Sequence, residues 1–223
     1  MCRMSSKKET SFAKGTFWVV RRANLVLLRL LLNSSWVDGD CRNSYGIILL
    51  MVTSYAGHIG GVIELILQGV DINLQSCKTA LFFAAQQGYN VAMRFLFEFG
   101  ASTEVRTKGR CAALLISQYG HIQVVGTLLK HGASIHEQIY DGATALFLTV
   151  QGGNLGVTQL LLFSGVKVNQ PRGEKTVLLW ILPLMGHSKV VRVMLSAWSN
   201  IMMLPNTMVN SITESSHQSD PGR

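Results

Sequence analysis

Three histidines, His58, His121 and His187, recur at multiples of one interval, and histidine is the commonest ligand of a protein-bound transition metal. Their spacing works against that chemistry. Each falls in a different structural period, roughly 10 Å from the next period along a row of packed helices, whereas ligands sharing one zinc ion must each come within about 2.1 Å of it. They are expected to be structural loop residues. Cys2, Cys41, Cys77 and Cys111 lie 39, 36 and 34 residues apart, so no pair has the C-x-x-C spacing of a zinc or redox site, and reduced thiols are expected. Neither G-x-S-x-G nor H-E-x-x-H occurs, and Gly152-Gly153 follows a helical pattern rather than a strand, which disqualifies it as a phosphate cradle. No catalytic residue, metal or cofactor is expected. The cationic turn Arg106-Thr107-Lys108-Gly109-Arg110 could meet phosphates, but it lacks interleaved aromatic side chains for base stacking, and nucleic acid is disfavoured as a partner.

What positions these residues is a repeat. Gly57-His58, Gly88-Tyr89, Gly120-His121, Gly153-Asn154 and Gly186-His187 open the same phrase at steps of 31, 32, 33 and 33 residues. Twelve residues after each of the first four comes a second glycine: Gly69, Gly100, Gly132 and Gly165. Two marks locked at a period near 33 predict a stacked array of two-helix units, an all-α solenoid of about six helix-loop-helix units. The clearest unit places a turn and an N-cap hydroxyl at Asp141–Thr144, a helix over Ala145–Gln151, a left-handed break at Gly152-Gly153 and a second helix over Leu155–Phe163. The two short steps imply turns shortened around Gln75–Lys78 and Arg106–Arg110.

With 223 residues, 48% of them hydrophobic and 14% charged, the chain is more apolar than a solenoid surface requires, and its net charge of +8 weakly favours acidic partners. The polar, cationic Met1–Lys14 stretch has no apolar run behind it, so no secretory signal is expected. The longest apolar runs, Gly46–Val52 and Val177–Gly186, fall short of the ~18 residues of a membrane span. An intracellular, cytoplasmic or nuclear protein is the expectation. Residues 1–13 read as an N-terminal segment, 14–200 as the array and 201–223 as a polar, disordered tail.

The phrases Thr79-Ala80-Leu81-Phe82-Phe83-Ala84-Ala85, Thr144-Ala145-Leu146-Phe147, Gly120-His121-Ile122-Gln123-Val124-Val125 and Gly69-Val70-Asp71-Ile72-Asn73 resemble successive parts of the ankyrin repeat. Where the family pattern has Pro and then His at the start of the first helix, this chain has Leu49, Ala80, Ala112, Ala145 and Leu178, then Met51, Phe82, Leu114, Phe147 and Trp180. Burial is expected to replace the polar network that those histidines form. The paired alanines that admit neighbouring helices survive only as Ala84-Ala85; the other pairs are Thr53-Ser54, Ile116-Ser117, Thr149-Val150 and Leu182-Pro183, which predicts a marginal array, weakest in its last unit.

The resemblance implies a protein-binding groove lined by first-helix positions and inter-unit turns: Tyr55, Gln86, Gln87, Gln118, Tyr119 and Gln151 from the helices, with Arg21 and Arg22, and Arg106, Lys108, Arg110 and Tyr140 from the turns, with Lys78 and Arg172. The implied function is a non-enzymatic scaffold for an acidic or mixed-charge protein partner. The competing reading is a decayed duplicate of marginal stability with no selected function. Helix Ser188–Leu195 is followed by Trp198, Ile201, Met202 and Met203 rather than by another unit, so self-association through an uncapped C-terminal end is a further expectation.

Overall fold

Among the described residues, the glycine phrases at Gly57, Gly88 and Gly153 each end a helix. The structure, a computed structural model, describes residues 11–34, 36–74, 78–103, 106–107, 110–111, 117–134, 136–138, 142–168 and 186–202. The chain divides into two compact units, Met1–Ser102 and Thr103–Arg223. In the first, α1 (Ser11–Arg21), α3 (Leu49–Ala56) and α5 (Ala80–Gln86) are the first helices of three pairs and lie side by side, each backed by its second helix, α2 (Leu25–Asn33), α4 (Ile59–Leu67) and α6 (Asn90–Glu98). In the second, α7 (Ile122–Lys130), α9 (Leu155–Phe163) and α10 (Ser188–Met202) are successive second helices, and α8 (Ala145–Gln151) is the first helix paired with α9. The helix bounds in the clearest unit match the sequence expectation, while the last helix runs to Met202, beyond the expected Leu195. Strand structure is confined to a hairpin of two residues a side, β1 (Arg106–Thr107) and β2 (Arg110–Cys111), among the described residues. It is the counterpart of the turns closed by the bridges Arg42 to Ile48 and Gln138 to Thr144, one residue tighter than either.

The chain obeys this plan because both glycines of the period are helix stops. Gly57, Gly88 and Gly153 have φ of 71°, 80° and 69°, and the amide that follows each reaches back five residues, His58 to Thr53, Tyr89 to Ala84 and Asn154 to Thr149, at 3.0, 3.0 and 2.9 Å. This is the closing bond of a Schellman motif. The second glycine does the same: Val70 bonds Leu65, Ala101 bonds Leu96 and Ala133 bonds Leu128. At the other end, the hydroxyls of Thr79 and Thr144 accept from the amides of Phe82 and Phe147 at 3.3 and 3.2 Å, satisfying donors that a helix start leaves open.

The first pair breaks the rule in one residue. Ala23 occupies the loop-glycine position with φ of 55°, and Asn24 still makes the five-residue bond to Val19 at 3.2 Å. A Cβ in the left-handed region costs roughly 1 to 2 kcal/mol. Ala23→Gly therefore has an expected gain of about 1 kcal/mol after the added freedom of the unfolded chain is subtracted, read as a rise in the urea midpoint.

The slots that differ from the family pattern are buried as expected. Met51, Phe82 and Phe147 are at most 5% exposed, so apolar rings and a thioether fill the space of the absent histidines. At the alanine-pair slots, Thr53 and Thr149 are buried with their hydroxyls turned back onto the carbonyls of Leu50 and Leu146, both at 2.9 Å. Ser54 beside Thr53 is fully buried and its hydroxyl has no hydrogen-bond partner, a cost of about 1 to 3 kcal/mol. Leu114, Ile116, Leu178, Trp180, Leu182 and Pro183 lie outside the described residues.

Candidate protein-interaction surface

Because the units share one register, residues at one offset from the loop turn line up across neighbouring helices. Two positions before the turn stand Arg21, Tyr55 and Gln86 on α1, α3 and α5; five positions before stand Trp18, Val52 and Phe83. Trp18 is 58% exposed and Tyr55 50%. The guanidinium of Arg22 lies over the Trp18 ring, 5.2 Å from its centroid. Tyr55 meets Phe83 edge to face at 6.0 Å, and the Lys78 ammonium stands 4.3 Å from the centroid of Phe82 and 5.6 Å from that of Phe83. None of α1, α3 and α5 carries an aspartate or glutamate. The row of first helices thus presents aromatic faces and cations with no carboxylate of its own to neutralise them.

Sequence reasoning placed Tyr55, Gln86 and Gln87 on this row, where Tyr55 is exposed and the two glutamines are half-buried. It missed Trp18 and Phe83, although both were legible as the offset of five residues before the turn, counted from Ala23 and Gly88. In the second unit Gln118 and Tyr119 are exposed in the turn before Gly120, and Gln151 is exposed at the end of α8, which is also free of acidic residues. Arg106 and Arg110 lie in β1 and β2. Lys108, Tyr140 and Arg172 lie outside the described residues.

The row is held in place by side chains that reach from one pair to the one before. Tyr89 covers Gly57 so closely that a Cβ there would stand 2.7 Å from the ring. Asn154 covers Gly120 and donates to the carbonyl of Gln118 at 2.8 Å, and His187 covers Gly153. His58 brings its Nε2 within 3.3 Å of the carbonyl of Arg21. His58, Tyr89, Asn154 and His187, each at the position after a loop glycine, thus clamp the previous loop within their own compact unit, and two of the three regularly spaced histidines serve in this way. On the opposite side Asn73 ties the next unit end, donating to the carbonyl of Gly100 at 3.0 Å and accepting from the amide of Ser102 at 2.9 Å.

The carboxylates sit away from the row. On the second helices Arg29 of α2 donates its Nε to buried Glu64 of α4 at 2.6 Å, and Gln68 adds a bond at 3.3 Å. The Arg29 bond holds the Glu64 carboxyl below its ordinary value of 4.5. A depressed folded value means stability that is present above pH 4.5 and lost as pH falls through the folded value. Asp40 has the opposite sign: burial raises its carboxyl above 3.8 against the bond it accepts from the Asp71 amide, so acidification relieves a cost there. Glu64→Gln is expected to flatten the acid side of the stability profile below pH 4.5, measured as Tm against pH beside the parent chain.

Among the described residues no three His, Cys, Asp or Glu side chains come together, and no helix is long and apolar enough to cross a membrane. A family model for ankyrin repeats, in three copies, matches residues 50–139, the stretch that contains the clamped loops at Gly57 and Gly120. The chain carries ankyrin repeats. It is similar to ankyrin repeat domain-containing protein 29 from Homo sapiens, 68% identical over 75 residues that make up 34% of this chain and 25% of that protein. The Danio rerio protein of the same name is 60% identical over 72 residues, 32% of this chain and 24% of that protein. The chain thus spans about a quarter of the length of these curated relatives. The crystal structure of the human ASB11 ankyrin repeat domain superposes with a TM-score of 0.75 at 18% identity, covering 82% of each chain. That likeness concerns the ankyrin fold alone.

Proposed function

We propose that this chain is a non-enzymatic, intracellular protein-binding scaffold, and that the row of first helices in its repeats is the binding face. The observation that carries the reading is the composition of that row in the first unit: Trp18 and Tyr55 half-exposed, Arg22 stacked on Trp18, and no acidic residue on α1, α3 or α5. Tryptophan, tyrosine and arginine dominate interface energies, and uncompensated cations favour an acidic or mixed-charge partner. In the second unit Gln118, Tyr119 and Gln151 are the corresponding candidates, with Arg106, Lys108 and Arg110 in the turn.

Protein captured by the tagged chain should fall at least tenfold with Trp18→Ala and Arg22→Glu combined, with helical circular dichroism unchanged; undiminished capture by the folded variant rejects the face. The competing reading, a decayed duplicate, draws support from the unpartnered Ser54 hydroxyl and the left-handed Ala23. A molten, aggregating product in place of a sharp unfolding transition favours it.

A further inference from the structure

Between the first two helix pairs lies a half-open cavity of about 170 Å³, bounded by Val20, Leu25, Leu28, Thr53, and the bare backbone of Gly60-Gly61. Its cause is a local mismatch in the repeat. Gly60 and Gly156 hold the same position, three residues after the loop glycine, and Leu25 and Ile122 hold the position that faces them from the preceding pair. In the second unit the end of Ile122 occupies the space where a Gly156 side chain would begin. In the first, the nearest Leu25 methyl stays 3.4 Å from the corresponding point on Gly60, and the notch is left unfilled.

Each polar side chain at its wall holds one hydrogen bond or close polar contact. Thr53 donates its hydroxyl to the carbonyl of Leu50 at 2.9 Å and turns its methyl toward Gly61. Asn24 accepts from the Leu27 amide at 3.0 Å, and His58 Nε2 is 3.3 Å from the carbonyl of Arg21. The rest of the wall is aliphatic, with Val20, Leu25, Leu28 and the Thr53 methyl around a volume sufficient for one benzene ring.

We propose that this cavity is a binding site for one small, neutral, apolar molecule of about the size of a benzene ring. Binding rests on shape and dispersion contacts with the methyl groups. The proposal does not depend on the protein-binding reading.

Benzene is the probe. Titrated into the full chain, it should raise Tm saturably by about 2 to 4 °C, a linkage effect of binding to the folded state alone, and shift the amide resonances of Thr53, Gly60 and Gly61. Gly60→Val fills the notch and should abolish both responses. Gly15→Ala, in α1 where an added Cβ meets nothing within 4 Å, removes a helical glycine without touching the cavity and should keep them. Absence of a saturable response in the parent chain, or a response that survives Gly60→Val, overturns the proposal.

Discussion

Replacing Gly57 with alanine is expected to destabilise the first unit by about 2 to 5 kcal/mol. Two costs combine. The left-handed φ of 71° costs an L-residue roughly 1 to 2 kcal/mol, and a Cβ 2.7 Å from the Tyr89 ring forces an overpacking displacement worth about 1 to 3 kcal/mol. The loss is read as a lower urea midpoint at unchanged slope. Gly69, whose φ is 79° but where an added Cβ meets nothing within 4 Å, separates the two costs: Gly69→Ala should show the conformational part alone. An equal loss at both positions would mean that the Tyr89 clamp contributes nothing.

Phe82→Ala carries the second large effect. Phe82 is 2% exposed in the slot where the family pattern has histidine, and its ring also supports the Lys78 ammonium. Emptying such a site costs about 3 to 5 kcal/mol, against a typical domain total of about 5 to 15 kcal/mol. Most of the transition should therefore move below 37 °C, followed by far-UV circular dichroism. Phe82→Leu keeps much of the buried volume and should retain most of the stability. Near-neutral behaviour of Phe82→Ala would show that the slot is not packed by this ring.

These effects explain which parts of the molecule were legible beforehand. The glycine marks were readable because a left-handed helix stop restricts the residue type, and the threonine cap at Thr144 because a hydroxyl before an apolar helix has one plain use. The helices Ala145–Gln151 and Leu155–Phe163 followed from those stops. The first pair was legible from Ala23-Asn24-Leu25, which repeats the loop phrase with alanine in the glycine position; the left-handed φ of 55° at that alanine was not. Trp18 was missed although its place on the row of first helices is counted from the same turn as that of Arg21. The clamps were hidden for another reason, because His, Tyr and Asn after a glycine share no composition and are united only by where they reach. The cavity over Gly60-Gly61 depends on whether a leucine or an isoleucine fills the space opposite, which is a matter of side-chain shape rather than of pattern.

The central physical claim is that, within each compact unit, a helix pair is fastened to its predecessor by the residue following the loop glycine. A double-mutant cycle between Gly57→Ala and Tyr89→Ala tests it directly. With the ring removed, the added methyl no longer has an obstacle, so the cost of Gly57→Ala should fall by at least about 1 kcal/mol, a coupling well above the additivity expected of independent sites. Strict additivity of the two substitutions would contradict the clamp.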